Sequence, residues 1–272
     1  MANTRIGILA AVEKGRDAAT VADLIGGADG AFCRADVERM LSSCMLRLGD
    51  MAAAALAAVS SLRAARASGD RTMLVSGLLS CGQAARFAPG EVANAERASR
   101  EQEKIDGSPV SYGGLDLSHE GRISLPTTPA ALSRLSLAYN KAALGICNAG
   151  LTAAAGRGSP AANDSESVPD VPMEVRARGC VGMCLHELGE ERQRSLELLR
   201  QAVGLRRQQL LTAAPGQDTL TAQRMLANQL STLGRVLMYG SDGKAEAETC
   251  LREALALGEN LGVVQLKVKT LR

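Results

Sequence analysis

One helix-pair pattern occurs twice in this sequence, and the second copy begins 52 residues after the first (Val181 to Leu233). Glycine in the first helix of each copy lets two backbones approach closely, and alanine after leucine keeps the second helix thin on its inner side. A unit of two helices cannot bury its apolar face alone, so it must stack on neighbouring units. The matched residues are Val181-Gly182-x2-Leu185 with Ser195-x3-Leu199-x2-Ala202, and Leu233-Gly234-x2-Leu237 with Ala247-x3-Leu251-x2-Ala254.

The composition predicts an all-α fold. Apolar residues make up 46% of the 272 residues, and aromatic residues make up only 2%. Alanine and leucine supply most of the apolar fraction. These residues are strong helix formers, whereas runs of β-branched residues are nearly absent. Small side chains suit close helix packing and argue against a β-sandwich or an aromatic-lined pocket. The length allows one long domain or two short ones.

Charge and cysteine content limit the possible partners and location. The formal net charge is +2, acidic and basic residues alternate, and no basic stripe with aromatic residues is present, so we expect no nucleic-acid binding. The seven cysteines are scattered and no secretory signal is recognisable, so we expect free thiols and a cytoplasmic, reducing location. The longest run of low charge, residues 51–62, is about half of what a bilayer span needs, so we expect no membrane insertion.

The sequence divides into three predicted regions. Residues 1–155 form an N-terminal helical segment with degenerate repeats, clearest at 36–67; residues 156–172 form a flexible linker; residues 173–272 hold the clear C-terminal repeats. Within the first region, the pattern predicts two short helices separated at 14–17, a loop at 26–30 and a long loop at 106–129. The helices predicted after the loop at 26–30 span 36–48, 51–67, 71–87, 91–105 and 130–155.

The repeated units resemble tetratricopeptide repeats, which are helix–turn–helix units of about 34 residues. In that family leucine and glycine stand midway along the first helix, and small and large residues alternate in the second helix at spacings of four and three. A weaker third copy comprises Leu41, Ser42, Met45, Gly49, Ala54, Ala58 and Ser61. The long helices and the residues at 243–248 are most similar to the kinesin-light-chain subtype. The sequence departs from the family because the repeat-ending proline is absent and aliphatic residues replace the aromatic ones.

The resemblance implies an α-solenoid with irregular loops, in which the first helix of each unit faces a concave groove. Arginine and asparagine in such a groove can hold a peptide backbone or an acidic terminus, and methionine gives an adaptable apolar contact. The alternative is that these positions form a solvated helix face. The implied groove positions are Arg176, Gly179, Met183, His186, Asn228, Ser231, Arg235 and Met238 in the later units, and Asp36, Arg39, Ser43 and Leu46 in the early unit.

The function expected from this resemblance is a non-catalytic scaffold that binds a protein or peptide partner in the groove. The alternative is a structural subunit of a larger multiprotein assembly. The apolar and uncapped stretch at 261–271 favours this alternative, because such a stretch can continue into a partner.

Three short motifs resemble chemical sites, and each lacks a required part. Cys180-x3-Cys184-x-His186 has no fourth ligand for structural zinc, and residues 240–245 lack the spacing and the Ser/Thr of a phosphate-binding loop. Ser118, His119 and Glu120 are adjacent in a loop, and adjacent residues rarely meet in the geometry of a catalytic triad. We therefore expect no metal, no cofactor and no enzymatic activity.

Overall fold

A computed structural model describes residues 2–105, 125, 128–156, 171–213, 219–240 and 243–261. Within these ranges the chain is α-helical and contains no strand, which confirms the all-α fold class. The predicted loop at 106–129 and the predicted linker at 156–172 lie almost entirely outside the described residues, as does the stretch at 262–272. The chain divides into two compact units, Met1–Asp170 and Val171–Arg272.

The first unit is built around one central helix. Its described helices are α1 (Ala2–Ile25), α2 (Gly27–Leu48), α3 (Met51–Ser68), α4 (Arg71–Phe87), α5 (Pro89–Ile105), α6 (Pro129–Leu132) and α7 (Leu135–Gly156). Helix α4 packs against α2, α3, α5 and α7, and each of its residues from Met73 to Gly82 is buried. Helix α1 packs against α2, which packs against α3.

Aspartate side chains cap the amino-terminal ends of α3 and α4. The Asp50 carboxylate accepts a hydrogen bond from the Ala53 amide (3.0 Å), and the Asp70 carboxylate accepts one from the Met73 amide (2.7 Å). Each bond satisfies an amide at a helix start that has no partner within the helix. The predicted boundaries of α3, α4 and α5 therefore agree with the structure to within two residues.

Two predicted breaks in the first unit are wrong. Helix α1 continues through residues 14–17, and α2 begins at Gly27 instead of residue 36. Gly15 and Gly30 are contact residues: a Cβ atom on Gly15 would lie 2.7 Å from Leu41 Cδ2, and one on Gly30 would lie 2.5 Å from the Ala22 oxygen. Of the glycines at 26–30, only Gly26 and Gly27 have positive φ angles, so they alone make the turn.

The helix predicted at 130–155 is interrupted in the structure. A turn at residues 133–134 divides it into α6 and α7.

A group of buried polar side chains lies among α3, α4, α5 and α7. The Glu96 carboxylate accepts hydrogen bonds from Arg66 Nη2 (3.2 Å) and Arg100 Nε (3.1 Å), and the side chains of Arg66 and Glu96 are only 3% and 0% exposed. Burial raises the pKa of the neighbouring Tyr139 hydroxyl and of the Cys81 thiol, so both stay protonated. Within the described residues, the Glu96 carboxylate therefore opposes the buried positive charge of Arg66.

We expect Glu96→Gln to lower the free energy of unfolding by about 3–5 kcal/mol, because it removes the opposing charge from the buried Arg66 guanidinium. Glu101→Gln is the matched control, since Glu101 is exposed on the same helix, and its effect should stay within about 0.5 kcal/mol. Urea unfolding of the full chain measures both values. Equal effects for the two variants would show that the buried pair does not hold the interior together.

The second unit contains two helix pairs in its described residues. They are α8 (Val171–Glu187) with α9 (Arg192–Leu211), and α10 (Leu220–Met238) with α11 (Lys244–Asn260). Helix α10 also packs against α9 and touches α8. The core between the pairs is formed by leucine, valine and alanine side chains, with Leu199, Leu230 and Leu233 almost completely buried.

The two glycines of the repeated pattern occupy equivalent contacts, as predicted from their spacing. A Cβ atom on Gly182 would lie 2.9 Å from Leu199 Cγ, and one on Gly234 would lie 2.7 Å from Leu251 Cγ. The Cβ atom on Gly182 would also lie 3.0 Å from the Ser195 backbone oxygen, and the one on Gly234 would lie 3.2 Å from the Ala247 backbone oxygen. The sequence repeat is therefore also a repeat of helix–helix geometry.

We expect Gly234→Leu to lower the free energy of unfolding by roughly 1–3 kcal/mol, because any side chain at this position overlaps Leu251 and crowds the Ala247 carbonyl. Gly204→Ala on α9 is the matched control. A Cβ atom there meets nothing within 4 Å, so the higher helix propensity of alanine should stabilise by up to about 1 kcal/mol. Thermal unfolding that is unchanged by Gly234→Leu would contradict this contact.

Buried serines form hydrogen bonds between neighbouring helices in both units. Ser195 Oγ donates to the Gly182 oxygen (2.6 Å), Ser42 Oγ to the Ala54 oxygen (2.9 Å) and Ser61 Oγ to the Ala35 oxygen (2.7 Å). Ser42 occupies the glycine position of the third copy of the sequence pattern. A hydroxyl is small enough for the helices to approach, and its hydrogen bond satisfies the buried polar group.

We expect Ser42→Ala to destabilise the protein by about 1 kcal/mol relative to Ser43→Ala. The two changes gain the same helix propensity, but Ser42 is buried and hydrogen-bonded, whereas Ser43 is exposed. The difference in their chemical unfolding midpoints therefore isolates one interhelical hydrogen bond. The expectation fails if Ser42→Ala is as stable as Ser43→Ala.

Two ion pairs connect α9 with α11. Arg200 Nη2 lies 2.6 Å from Glu246 Oε2, and one heptad later Arg207 pairs with Glu253. The hydrogen bond from Arg200 lowers the pKa of Glu246, so the first pair is complete at neutral pH and is lost only in acid. All four side chains are at least one-third exposed, so each pair contributes at most about 1 kcal/mol.

Candidate functional site

An open groove runs between α8 and α10 in the second unit and contains a cavity of about 210 Å³. Residues three and four positions apart share one face of a helix, and both walls follow this spacing. The wall on α8 consists of Arg176, Gly179, Cys180 and Met183, and the wall on α10 consists of Met225, Asn228, Gln229 and Thr232.

Helix α9 closes the base of the cavity with Leu199 and Arg206. Arg206 is 1% exposed, and its Nη1 atom donates to Gln209 Oε1 (2.6 Å). Gln229 Nε2 points to the Val175 oxygen (3.5 Å), while its Oε1 atom is buried without a hydrogen-bond partner in the described chain. The site therefore combines the apolar side chains of Leu199, Met183 and Met225 with amide and guanidinium groups, a composition that suits a side chain flanked by backbone.

A cluster of aromatic and charged residues lies at the carboxyl ends of α8 and α10. The rings of His186 and Tyr239 have centroids 5.4 Å apart and planes tilted by 42°. Burial lowers the pKa of His186, and the nearby Arg192 and Arg235 lower it further, against an opposing effect of Glu187. The imidazole is therefore neutral at neutral pH although it lies beside the groove.

The structure brings some of the predicted groove residues together and separates others. Arg176, Met183 and Asn228 line the cavity, and His186, Arg235 and Met238 lie further along the same two helices. Ser231 differs, because it is 3% exposed. It follows Ala227 by four positions and precedes Gly234 by three, both of which are buried, so it lies on the inner face of α10. In the first unit, Asp36 and Arg39 form an ion pair with each other (2.6 Å).

Several residues of the site were not predicted from the sequence. Met225 and Thr232 stand three and four positions from Asn228, so helical spacing could have identified them. Arg206 and Arg192 belong to α9, which the repeat pattern assigns to the opposite side of the unit, and no local signal marks them. Tyr239 directly follows the last residue of α10, and no local signal marks it either.

The described residues contain no cluster of metal-ligating side chains and no helix of membrane-spanning character. Cys184 is buried and Cys180 is half-buried, and no three His, Cys, Asp or Glu side chains converge on one point within the described ranges. All seven cysteines are described and none of them forms a disulfide, and Cys33 is exposed. No described helix is both long and apolar enough to cross a bilayer.

Comparisons with known proteins returned no match to a family model, a curated protein or a solved structure.

Proposed function

We propose that the chain is a non-catalytic protein-interaction scaffold of tetratricopeptide-like helix pairs, which binds a peptide segment of a partner protein in the groove between α8 and α10. The observation that carries this proposal is the cavity in that groove, which is lined by both apolar and polar side chains. Its volume of about 210 Å³ is below the roughly 300–1,000 Å³ of small-molecule sites. A space of this size suits one side chain of a larger partner.

The chemistry of the lining also supports binding without catalysis. The described lining residues include two arginines, two methionines and two amides but no carboxylate and no histidine, which are the side chains that most often act as general bases. Asn228 is exposed and can hydrogen-bond to a peptide backbone, while Met183 and Met225 can adapt to different apolar side chains. The free thiols support the proposal of an intracellular, reducing location.

We expect the triple variant Arg176→Ala, Asn228→Ala, Arg235→Ala to keep its melting temperature and to lose roughly 1.5–3 kcal/mol of affinity, the range for hydrogen bonds that involve charged groups. Peptides selected from a displayed random library on the intact chain serve as probes, and fluorescence anisotropy measures their affinities. The matched control replaces the same residue types outside the groove, with Arg194→Ala, Arg252→Ala and Asn260→Ala.

Three results are possible for the groove variant. Loss of affinity with unchanged stability, and full affinity in the control, supports the proposal. Full affinity in the groove variant places the binding surface elsewhere, and a large fall in melting temperature shows that these side chains have a structural role. Either of the last two results contradicts the proposal.

The second candidate function is a structural subunit of a larger assembly, and the exposed face of α1 favours it. Ile6 is 65% exposed and Leu24 is 82% exposed on this helix, and apolar side chains of this size on one helix are typical of surfaces covered by a partner. Light scattering coupled to size exclusion separates the two candidates. Self-association that Ile6→Ser with Leu24→Ser abolishes would favour the assembly subunit.

A further inference from the structure

The first unit contains a cavity beside the turn between α1 and α2. Its volume is about 480 Å³, which lies within the roughly 300–1,000 Å³ of small-molecule sites. Helices α1 and α3 each pack against α2, but within the described residues they make little direct contact with each other. A cleft therefore remains between α1 and α3, and it is lined by both of these helices and by the first part of α2.

The cavity does not come from loose packing of α1. A Cβ atom on Gly30 would lie 2.5 Å from the Ala22 oxygen, so α1 and α2 touch at the edge of the cavity, which both residues line. Gly26 and Gly27, which also line it, have φ angles of 67° and 59°, values that glycine adopts far more readily than other residues. The turn and the close contact together set the direction of α1 and with it the width of the cleft.

One end of the cavity is polar. Ser61 Oγ donates a hydrogen bond to the Ala35 oxygen (2.7 Å), which places residues 60–63 of α3 level with Arg34 on α2. Ser60 and Arg63 stand three positions apart and so share one face of α3, and both line the cavity together with Arg34. Two guanidinium groups and a hydroxyl therefore lie at this end.

The other end of the cavity is lined by small residues. Because α2 and α3 run antiparallel on either side of a two-residue turn, Ala64 and Ala67 on α3 lie level with Ala31 and Gly27, nearer the start of α2. All four residues line the cavity. They carry no polar side-chain group and project little from their helices, so a flat apolar group can contact both walls over much of its surface.

The charges at the polar end favour a monoanion. Arg34 Nη1 lies 2.5 Å from Asp23 Oδ2, and Arg34 Nε donates to Glu38 Oε1 (2.8 Å), so this guanidinium is held in place. The Asp23 side chain lines the cavity and is 64% exposed, whereas Glu38 is not part of the lining. The charged groups that face the cavity are thus two guanidiniums, from Arg34 and Arg63, and one carboxylate.

We propose that this cavity binds a small aromatic carboxylate, whose carboxylate group contacts Arg63 and Ser60 and whose ring lies between the small residues of α2 and α3. A guanidinium and a hydroxyl are suitable hydrogen-bond donors for a carboxylate. A phosphate group suits the site less, because its second negative charge would be repelled by Asp23. The site is in the first unit, so it does not depend on the peptide groove of the second unit.

Amide NMR of the intact, isotope-labelled chain tests the site, with benzoate as the probe and neutral benzamide as its control. Benzoate should shift the amide signals of Gly27 and Gly30, which line the cavity, and should leave those of Gly204 and Gly234 in the second unit unchanged. A ligand of this size should bind with a Kd on the order of 1–10 mM. Benzamide should bind about fivefold more weakly, because it lacks the charge.

Three results of this titration would overturn the proposal. The first is the absence of shifts at Gly27 and Gly30 when benzoate is about tenfold above the expected Kd. The second is equal affinity for benzoate and benzamide. The third is tighter binding of phenyl phosphate than of benzoate at equal ionic strength.

Two charge variants should change the affinity for benzoate in opposite directions. Arg63→Gln removes the guanidinium donor and should weaken binding about fivefold, whereas Asp23→Asn removes the competing carboxylate and should tighten it about twofold. The matched controls are Arg47→Gln and Asp17→Asn, exposed residues on α2 and α1 outside the lining, and both should leave the affinity unchanged. Changes of the same sign in Arg63→Gln and Asp23→Asn, or equal changes in a variant and its control, would contradict the site.

Filling the cavity tests its position without a change of charge. Ala67→Phe on α3 places a ring at the apolar end and should abolish the benzoate-induced shifts of Gly27 and Gly30, whereas Ala52→Phe, exposed on the same helix, should retain them. Thermal unfolding shows whether each variant is folded, and if Arg63→Gln is not, Asp23→Asn and Ala67→Phe decide the test. Binding that persists in Ala67→Phe would show that benzoate lies elsewhere, and the proposal would then be wrong.

Discussion

Close contact between helices through small residues is the interaction on which the rest of this structure depends. Gly182 and Gly234 admit Leu199 and Leu251 at distances that no Cβ atom would allow, and Ser42 and Ser195 add a hydrogen bond at the equivalent contacts. With aromatic residues at only 2% of the chain, few large rings are available to fill space between helices. Stability must then come from short interhelical distances, where many weak dispersion contacts add up.

The same constraint explains the buried charges of the first unit. Helix α4 is surrounded on several sides, and small residues along it leave room for long polar side chains from α3 and α5. Arg66 and Glu96 fill this room with a pair that contributes little net stability but makes other arrangements of the helices costly, since either charge without the other would remain buried. The protonated Tyr139 and Cys81 beside the pair add no further charge.

In the second unit, the packing that closes the core also opens the groove. Helix α9 packs against both α8 and α10, while α8 and α10 only touch each other, so the faces of α8 and α10 beyond this contact stay accessible. Those faces hold methionine and amide side chains at the cavity and cationic and aromatic ones at the carboxyl end. A partner segment lying along the groove would therefore contact methionine side chains at the cavity and positively charged side chains at the carboxyl ends of α8 and α10.

The sequence by itself determined the helical class, the boundaries of α3, α4 and α5, and the helical spacing that puts Arg176 and Met183 on one face of α8. Caps and helical periodicity act over a few neighbouring residues and can be recognised without a fold. Only the tertiary structure decided that Gly15 and Gly30 are contact residues and not breaks, that Ser231 is buried, and that Arg192 donates a hydrogen bond to the Tyr239 oxygen at the end of α10. A glycine has the same local signal in a turn and at a helix crossing, and burial depends on which helix lies alongside. That choice is made by contacts between residues far apart in the chain, which no local pattern contains.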